Sequence, residues 1–535
     1  MRQILHKIQS TLAWSLTLVA ALASCSDPLE GVQFAVSGDI FGTTMVFQVV
    51  DAKTGQALAE PKMTLSFEGQ DADELYSITG KKIILAEANT FQVALRRGLE
   101  PSQASPVSFI VNVGNAGYLE RSYEVVLRDT GNLVQTIELV NLSDLPEGMA
   151  RSTGSVTADA NGALAKDLRL VPTDSASLQE GFVVEMPQGT LIYDSLGNLL
   201  KGAVAVEVTY YDNRSDLGIN AAPGAVEADR VQDSLGKALE KSFFEPLGLI
   251  DIKAKVGKMP VKRFGTPLSV LVQLNEESIN PMTEQPIAEG EAVEVWSMDE
   301  RSKIWKREGS TTIGKDSQGK LQAQMKVSHL SFWRITRRYD WSAFSSWWYS
   351  TYCFTGATLS FASTVASQQG FQYLPAQLTR GGVVLRELNV LVSSGQGRSV
   401  GWSTYASLAP DRLRIMDVTG KKVLAETALT PCALGNLPVA GDRLGYSVDI
   451  LLEGICPDQT ARRSSVHAYV REKGAPDTQR KLLGYVRAGR LTVVGLELGK
   501  AYDVTIFYEG TRYDQTITVD GPQYYYSIQL KGSDC

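Results

Sequence analysis

The feature that most limits what this chain can become is a beat of short apolar–polar alternations cut by turn residues. MVFQVVD, MTLSFEG, FQVALRR, VSFIVNV, YEVVLRD and QTIELVN follow one another between Val32 and Leu145, separated by Gly, Asp, Asn and Pro. Successive side chains of a strand point to opposite faces, so each run presents one apolar face that a second sheet must cover. Amphipathic helical periodicity is scarce. The expected class is all-β, with strands packed as tandem β-sandwiches.

At 535 residues the chain is long enough for roughly three to five such units. The turn signals divide it into a sandwich over 32–145 and a Gly, Ser, Ala and Asp-rich linker over 146–166. A second sandwich is expected over 167–336 and an aromatic seam over 337–352. Two more sandwiches follow, over 353–440 (ATLSFAS, VVLRELNVLVS, RLRIMDVTG) and 446–535 (YSVDILLEG, SSVHAYVRE, YDVTIFYEG).

Parts of these units resemble known families. VVDAKTGQALAEPKMTLSF and GLELGKAYDVTIFYEG resemble hairpins of carboxypeptidase-regulatory-like and other immunoglobulin-like domains. FVVEMPQGTLIYDSLGNLLKGAVAVEVTYYD resembles the start of the sandwich in zonula occludens proteins, netrin receptors and ankyrins. LGLIDIKA, TPLSVLVQLN and EAVEVWSMDERSKIWKREG are similar to part of the cartilage intermediate layer proteins. The resemblance implies tandem immunoglobulin-like and carboxypeptidase-regulatory-like sandwiches, and carries no activity.

The N-terminus sets the expected compartment. Arg2, His6 and Lys7 precede an apolar run, Leu12 to Ala23, that falls short of the ~20 residues of a membrane-spanning helix and has the layout of a secretory signal. It ends in Leu22-Ala23-Ser24-Cys25, which resembles the lipobox of bacterial lipoproteins. That implies removal of 1–24, acylation of Cys25, a short tether over 25–31, and a membrane as partner. Ser26 at the next position points to the outer membrane, on its periplasmic or cell-surface side. The net charge of −7 argues against nucleic acid.

Cysteine use agrees with export. Beyond Cys25 there remain Cys353, Cys432, Cys456 and Cys535, which allow three pairings. The spacing favours one bridge per unit, Cys353 with Cys432 and Cys456 with Cys535. Four free buried thiols are the alternative. No pair has the short spacing of zinc ligands, so neither metal nor cofactor is expected.

The seam begins at His329-Leu330-Ser331. Histidine two residues before a hydroxyl can act as its base, letting Ser331 attack the Leu330 carbonyl and cut the chain between Leu330 and Ser331. A His-apolar-Ser/Thr tripeptide on a terminal strand resembles the self-cleavage site of adhesion-receptor domains and of some zonula-occludens-type sandwiches. The two cysteines and the tryptophan that precede it in adhesion receptors are missing here. The plain alternative places Val327, His329 and Ser331 on one face of the last strand, with Leu330 and Phe332 on the other. Trp341, Trp347 and Trp348, downstream, have two readings. They form either an exposed platform for a glycan or a buried plug between units, with Arg334 and Arg338 on ring faces.

Asp51, Asp194, Asp233, Asp316 and Asp417 each open a short stretch ending in Gly, the chemistry of a tight turn. Asp174-Ser175-Ala176, Asp194-Ser195-Leu196 and Asp233-Ser234-Leu235 also resemble the Asp-Ser-apolar acceptor of some bacterial surface O-glycosylation systems. His467, alternating with Tyr469, reads as a surface imidazole. No zincin, nucleophile-elbow, P-loop or dinucleotide motif is present. The expectation is a lipid-anchored, non-enzymatic adhesion, scaffolding or binding protein with a protein or glycan ligand, self-cleavage and glycan binding being the rival readings.

Overall fold

The computed structural model describes residues 36–37 and 41–530, apart from 59–61, 88, 174–180, 214, 223–225, 281–282, 284, 300–301, 343–351, 362–369, 393–397 and 509–510. The described chain is an all-β protein of several stacked sheets. In the first sandwich Thr44–Asp51 runs antiparallel to Thr90–Leu95 and parallel to Asn132–Leu139. Val107–Asn115, flanked by Met63–Glu68 and Arg121–Leu127, closes over it. Phe47 and Phe91 stack at 4.7 Å in the core between the sheets.

A ten-stranded sheet organises the second body. Its order is Met149–Ala158, Gly202–Tyr211, Ser242–Val256, Phe332–Asp340, Ala292–Met298 and Trp305–Thr312, with short strands at the margins. A six-stranded sheet carrying Arg263–Gln273 and Leu321–His329 packs on one face of it. The other face is apolar as well. Tyr211, Phe244, Leu249, Trp296, Trp305 and Phe332 cluster there with Leu119 and Val140 of the first sandwich. A strand covered on both faces is buried without a break, and every residue from 242 to 252 in Ser242–Val256 is buried, Glu245 and Asp251 included.

The linker expected over 146–166 contains Met149–Ala158, paired along its whole length with Gly202–Tyr211. Its small residues disguised it. A Cβ at Gly154 would lie 2.6 Å from Leu170 Cδ2, so a larger residue there has to push the ends of the Leu170 and Leu168 side chains aside.

Strands from both of the units expected over 353–440 and 446–535 meet in one eight-stranded sheet and share one hydrophobic cluster, making one C-terminal body. Phe371 and Gln372 pair with Tyr485 and Gly484. Buried Gln372 then exchanges two hydrogen bonds with the Val494 backbone, at 2.6 and 2.8 Å. These pairings span more than a hundred residues of chain and leave no local trace in the sequence.

The first sandwich lies against both other bodies. Lys303 Nζ donates to the Ser122 carbonyl at 3.4 Å and Arg230 pairs with Glu124 on one side. On the other, Tyr469 donates to Thr90 Oγ1 at 2.9 Å and Arg386 pairs with Glu138 at 3.5 Å. Val36–Ser37 adds a parallel strand to Ala461–Arg463.

Candidate functional site

Leu330 and Ser331 form a corner of the second body. Leu321–His329 belongs to the six-stranded sheet and Phe332–Asp340 to the ten-stranded one, so the two residues between them carry the chain across the core. Leu321, Ala323, Met325 and Val327 alternate into that core, and the next residue of that parity, His329, reaches the rim half-exposed. The Leu330 amide is held by the Lys262 carbonyl at 3.0 Å.

At this rim three polar side chains line up. Ser331 Oγ lies 3.2 Å from His329 Nδ1, and His329 Nε2 lies 3.3 Å from Glu308 Oε1. Ser297 Oγ donates to the same carboxylate oxygen at 2.8 Å, and the Trp333 ring backs the imidazole at 4.9 Å. Burial pushes the Glu308 carboxyl up, but hydrogen bonds from His329 and Ser297 outweigh it and hold the group below its ordinary value. The order hydroxyl, imidazole, carboxylate is the one that orients a base toward a nucleophile. Neither Leu330 nor Ser331 is among the positive-φ residues, so the corner is made without left-handed backbone. Glu308 comes from Trp305–Thr312, 21 residues before His329, and nothing in its surroundings in the sequence marks it out.

The aromatic residues of the seam separate. Phe332 and Trp333 are buried in the second body. Trp341 is half-buried beside Phe243, with Lys241 Nζ 4.2 Å from its ring centre. Arg334 does lie on ring faces, 3.6 Å from Trp305 and 4.9 Å from Phe244, rings supplied by other strands of the sheet. Arg338 bonds Ser242 Oγ at 2.8 Å and pairs with Asp340. Trp347, Trp348, Cys25, Cys535 and Asp174-Ser175-Ala176 lie outside the described residues. Cys353 and Cys432 are bridged, and Cys456 is disulfide-bonded.

His467 is not a surface imidazole. It is fully buried, lies 4.8 Å from the Tyr485 ring, and neither ring nitrogen has a hydrogen-bond partner among the described residues. Its face of Val466–Glu472 looked solvent-facing in the sequence because the covering is remote: Tyr469, two residues on, reaches Thr90 of the first sandwich. Burial holds the imidazole down to about 3, against 6.5 when unfolded. The unfolded chain therefore binds a proton that the folded chain refuses, and stability present above 6.5 is lost as pH falls toward about 3. His467→Phe is expected to flatten the decline of the urea midpoint over that range, and an unchanged decline would count against this account.

No protein-family model and no curated protein matches the chain. Among solved structures it is similar to the full-length major pilin RrgB from Streptococcus pneumoniae, at 6% identity over 92% of this chain and 100% of that one, with a TM-score of 0.13. It is also similar to extracellular cadherin domains 3–6 of protocadherin gamma B2, at 7% identity over 92% and 99%, with a TM-score of 0.10. Scores this low define neither a common fold nor a common role.

Proposed function

We propose that this protein is an exported, lipid-anchored component of the cell envelope, held to the outer membrane through acylated Cys25, that acts through its surface in adhesion, scaffolding or matrix contact. The observation that carries the reading is the first sandwich seated against both other bodies through apolar clusters and cross-body hydrogen bonds. Such packing makes a stiff multi-sandwich block out of units that a flexible linker would let swing. A stiff block on a lipid tether holds a protein or glycan ligand at a defined height above the membrane.

Two measurements test it. The native chain is expected in the detergent phase of a phase-separating extraction and Cys25→Ala in the aqueous phase; a native chain in the aqueous phase removes the tether. Cells with and without the protein are expected to differ in attachment to surfaces coated with glycans or matrix proteins, and equal attachment sinks the adhesive role.

A second reading, self-cleavage between Leu330 and Ser331, is favoured by the Ser331–His329–Glu308 alignment. In it, Ser331 Oγ gives its proton to His329 Nδ1 and attacks the Leu330 carbonyl carbon; the Leu330–Ser331 C–N bond breaks as His329 returns that proton to the Ser331 nitrogen, leaving an ester that water hydrolyses to the Leu330 carboxylate and the Ser331 hydroxyl. Both flanking strands are held by their own sheets, so the fragments stay together until denatured. Denatured intact mass is expected to show two fragments, with Ser331→Ala and His329→Ala uncut and Glu308→Gln cut more slowly. A single intact native chain sinks this reading.

A further inference from the structure

Three tight turns in the second body have the same build. Asp194-Ser195-Leu196-Gly197, Asp233-Ser234-Leu235-Gly236 and Asp316-Ser317-Gln318-Gly319 each begin with an aspartate whose Oδ1 accepts from two backbone amides ahead of it. The distances are 2.8 and 2.8 Å, 2.9 and 2.9 Å, and 2.8 and 2.9 Å, in that order. Each ends on a glycine with φ of 83°, 82° or 84°. The serine of each is exposed.

Only the third residue differs. Gln318 shows that the turn closes equally well with a polar side chain in that place. Yet the other two turns carry Leu196, 84% exposed, and Leu235, 92% exposed, more than any other large apolar residue among the described residues. A leucine on a turn tip buries nothing and gains nothing for folding. Both stand directly after an exposed serine, in the Asp-Ser-apolar pattern noted in the sequence.

We propose that Ser195 and Ser234 are acceptors for O-linked sugar, and that the exposed leucine is read by the transferase. The clamped aspartate fixes the backbone, the serine is exposed, and the leucine supplies apolar contact. In the transfer, the serine Oγ forms a bond to the anomeric carbon of a sugar activated as its phosphate or diphosphate ester. The sugar–phosphate bond breaks, the phosphate leaves with the bonding pair, and a base of the transferase takes the hydroxyl proton. A sugar suits the site better than a phosphate. A phosphoserine would set a near-dianion beside the carboxylate of Asp194 or Asp233, whereas a neutral sugar meets no such repulsion. There is also room, since nothing lies within 4 Å of a Cβ built on Gly197 or Gly236. The inference stands apart from the adhesive reading.

The test is peptide mass measurement on the full chain purified from the cells that make it. Peptides holding Ser195 and Ser234 are expected to be heavier by whole sugar residues, and the Ser317 peptide to have its unmodified mass. Leu196→Gln, a side chain the turn tolerates at Gln318, is expected to abolish the increment at Ser195 and leave that at Ser234. Gln318→Leu is expected to create the same increment at Ser317. Unmodified Ser195 and Ser234, increments of phosphate instead of sugar, or modification indifferent to the leucine would each overturn the proposal.

Discussion

Removing the Cys353–Cys432 bridge as the double variant Cys353→Ala, Cys432→Ala is expected to destabilise the C-terminal body by about 4.5 kcal/mol. The bridge closes a sequence separation of 79 residues, and the chain-entropy account of so long a loop gives that order of magnitude. The folded contacts beside it survive the change. Cys353 sits in Tyr352–Phe361, paired with Arg398–Tyr405 on one side and Leu434–Val439 on the other. The Cys432 amide donates to Thr355 Oγ1 at 3.0 Å, a contact in which the sulfurs take no part. The effect therefore falls on the unfolded chain, which gains freedom. Changing both cysteines together avoids a stray thiol that could exchange with the disulfide at Cys456. Equilibrium urea unfolding, read in the C-terminal body by hydrogen exchange, gives the number. A loss under about 1 kcal/mol would mean that the unfolded chain is already compact around this loop.

Trp305→Ala is expected to cost the second body roughly 3–5 kcal/mol, the range for truncating a large buried aromatic ring. Trp305 touches Phe244 at 5.4 Å and Phe332 at 5.8 Å between ring centres and carries the Arg334 guanidinium at 3.6 Å. Removing it leaves a cavity and takes the π-face from a cation that is itself buried. Trp305→Phe keeps a ring beneath Arg334 and is expected to cost less. The C-terminal body shares no cluster with Trp305, so its exchange protection is expected to stay unchanged while that of the second body falls. Equal loss in both would show that the bodies unfold as one cooperative unit.

Much of the local architecture was legible. The alternation in MVFQVVD, VSFIVNV and YEVVLRD gave strands within a residue or two of Thr44–Asp51, Val107–Asn115 and Arg121–Leu127. The Asp-to-Gly stretches are turns for the reason their chemistry implies, with a carboxylate bonding its own loop and glycine taking positive φ. What lay hidden is what depends on distance along the chain. Met149–Ala158 looked like a linker because it is rich in Gly, Ser, Thr and Ala, residues that also mark loops. His467 looked exposed because its cover arrives from elsewhere. At the candidate site the sequence offered His329 and Ser331, two residues apart, and concealed Glu308, which only the sheet brings within reach.

The parallel seat of Val36–Ser37 on Ala461–Arg463 has a consequence for the order of assembly. Every strand of the first sandwich is available once residue 139 has been synthesised, so that unit can close early. The surfaces that receive it near Tyr469 do not yet exist. At the usual pace of translation the wait is on the order of tens of seconds. For that interval Val134 and Thr90 face water, and the start of the chain has no edge to join. A nascent chain released short of residue 461 would keep that face bare, a ready target for quality control.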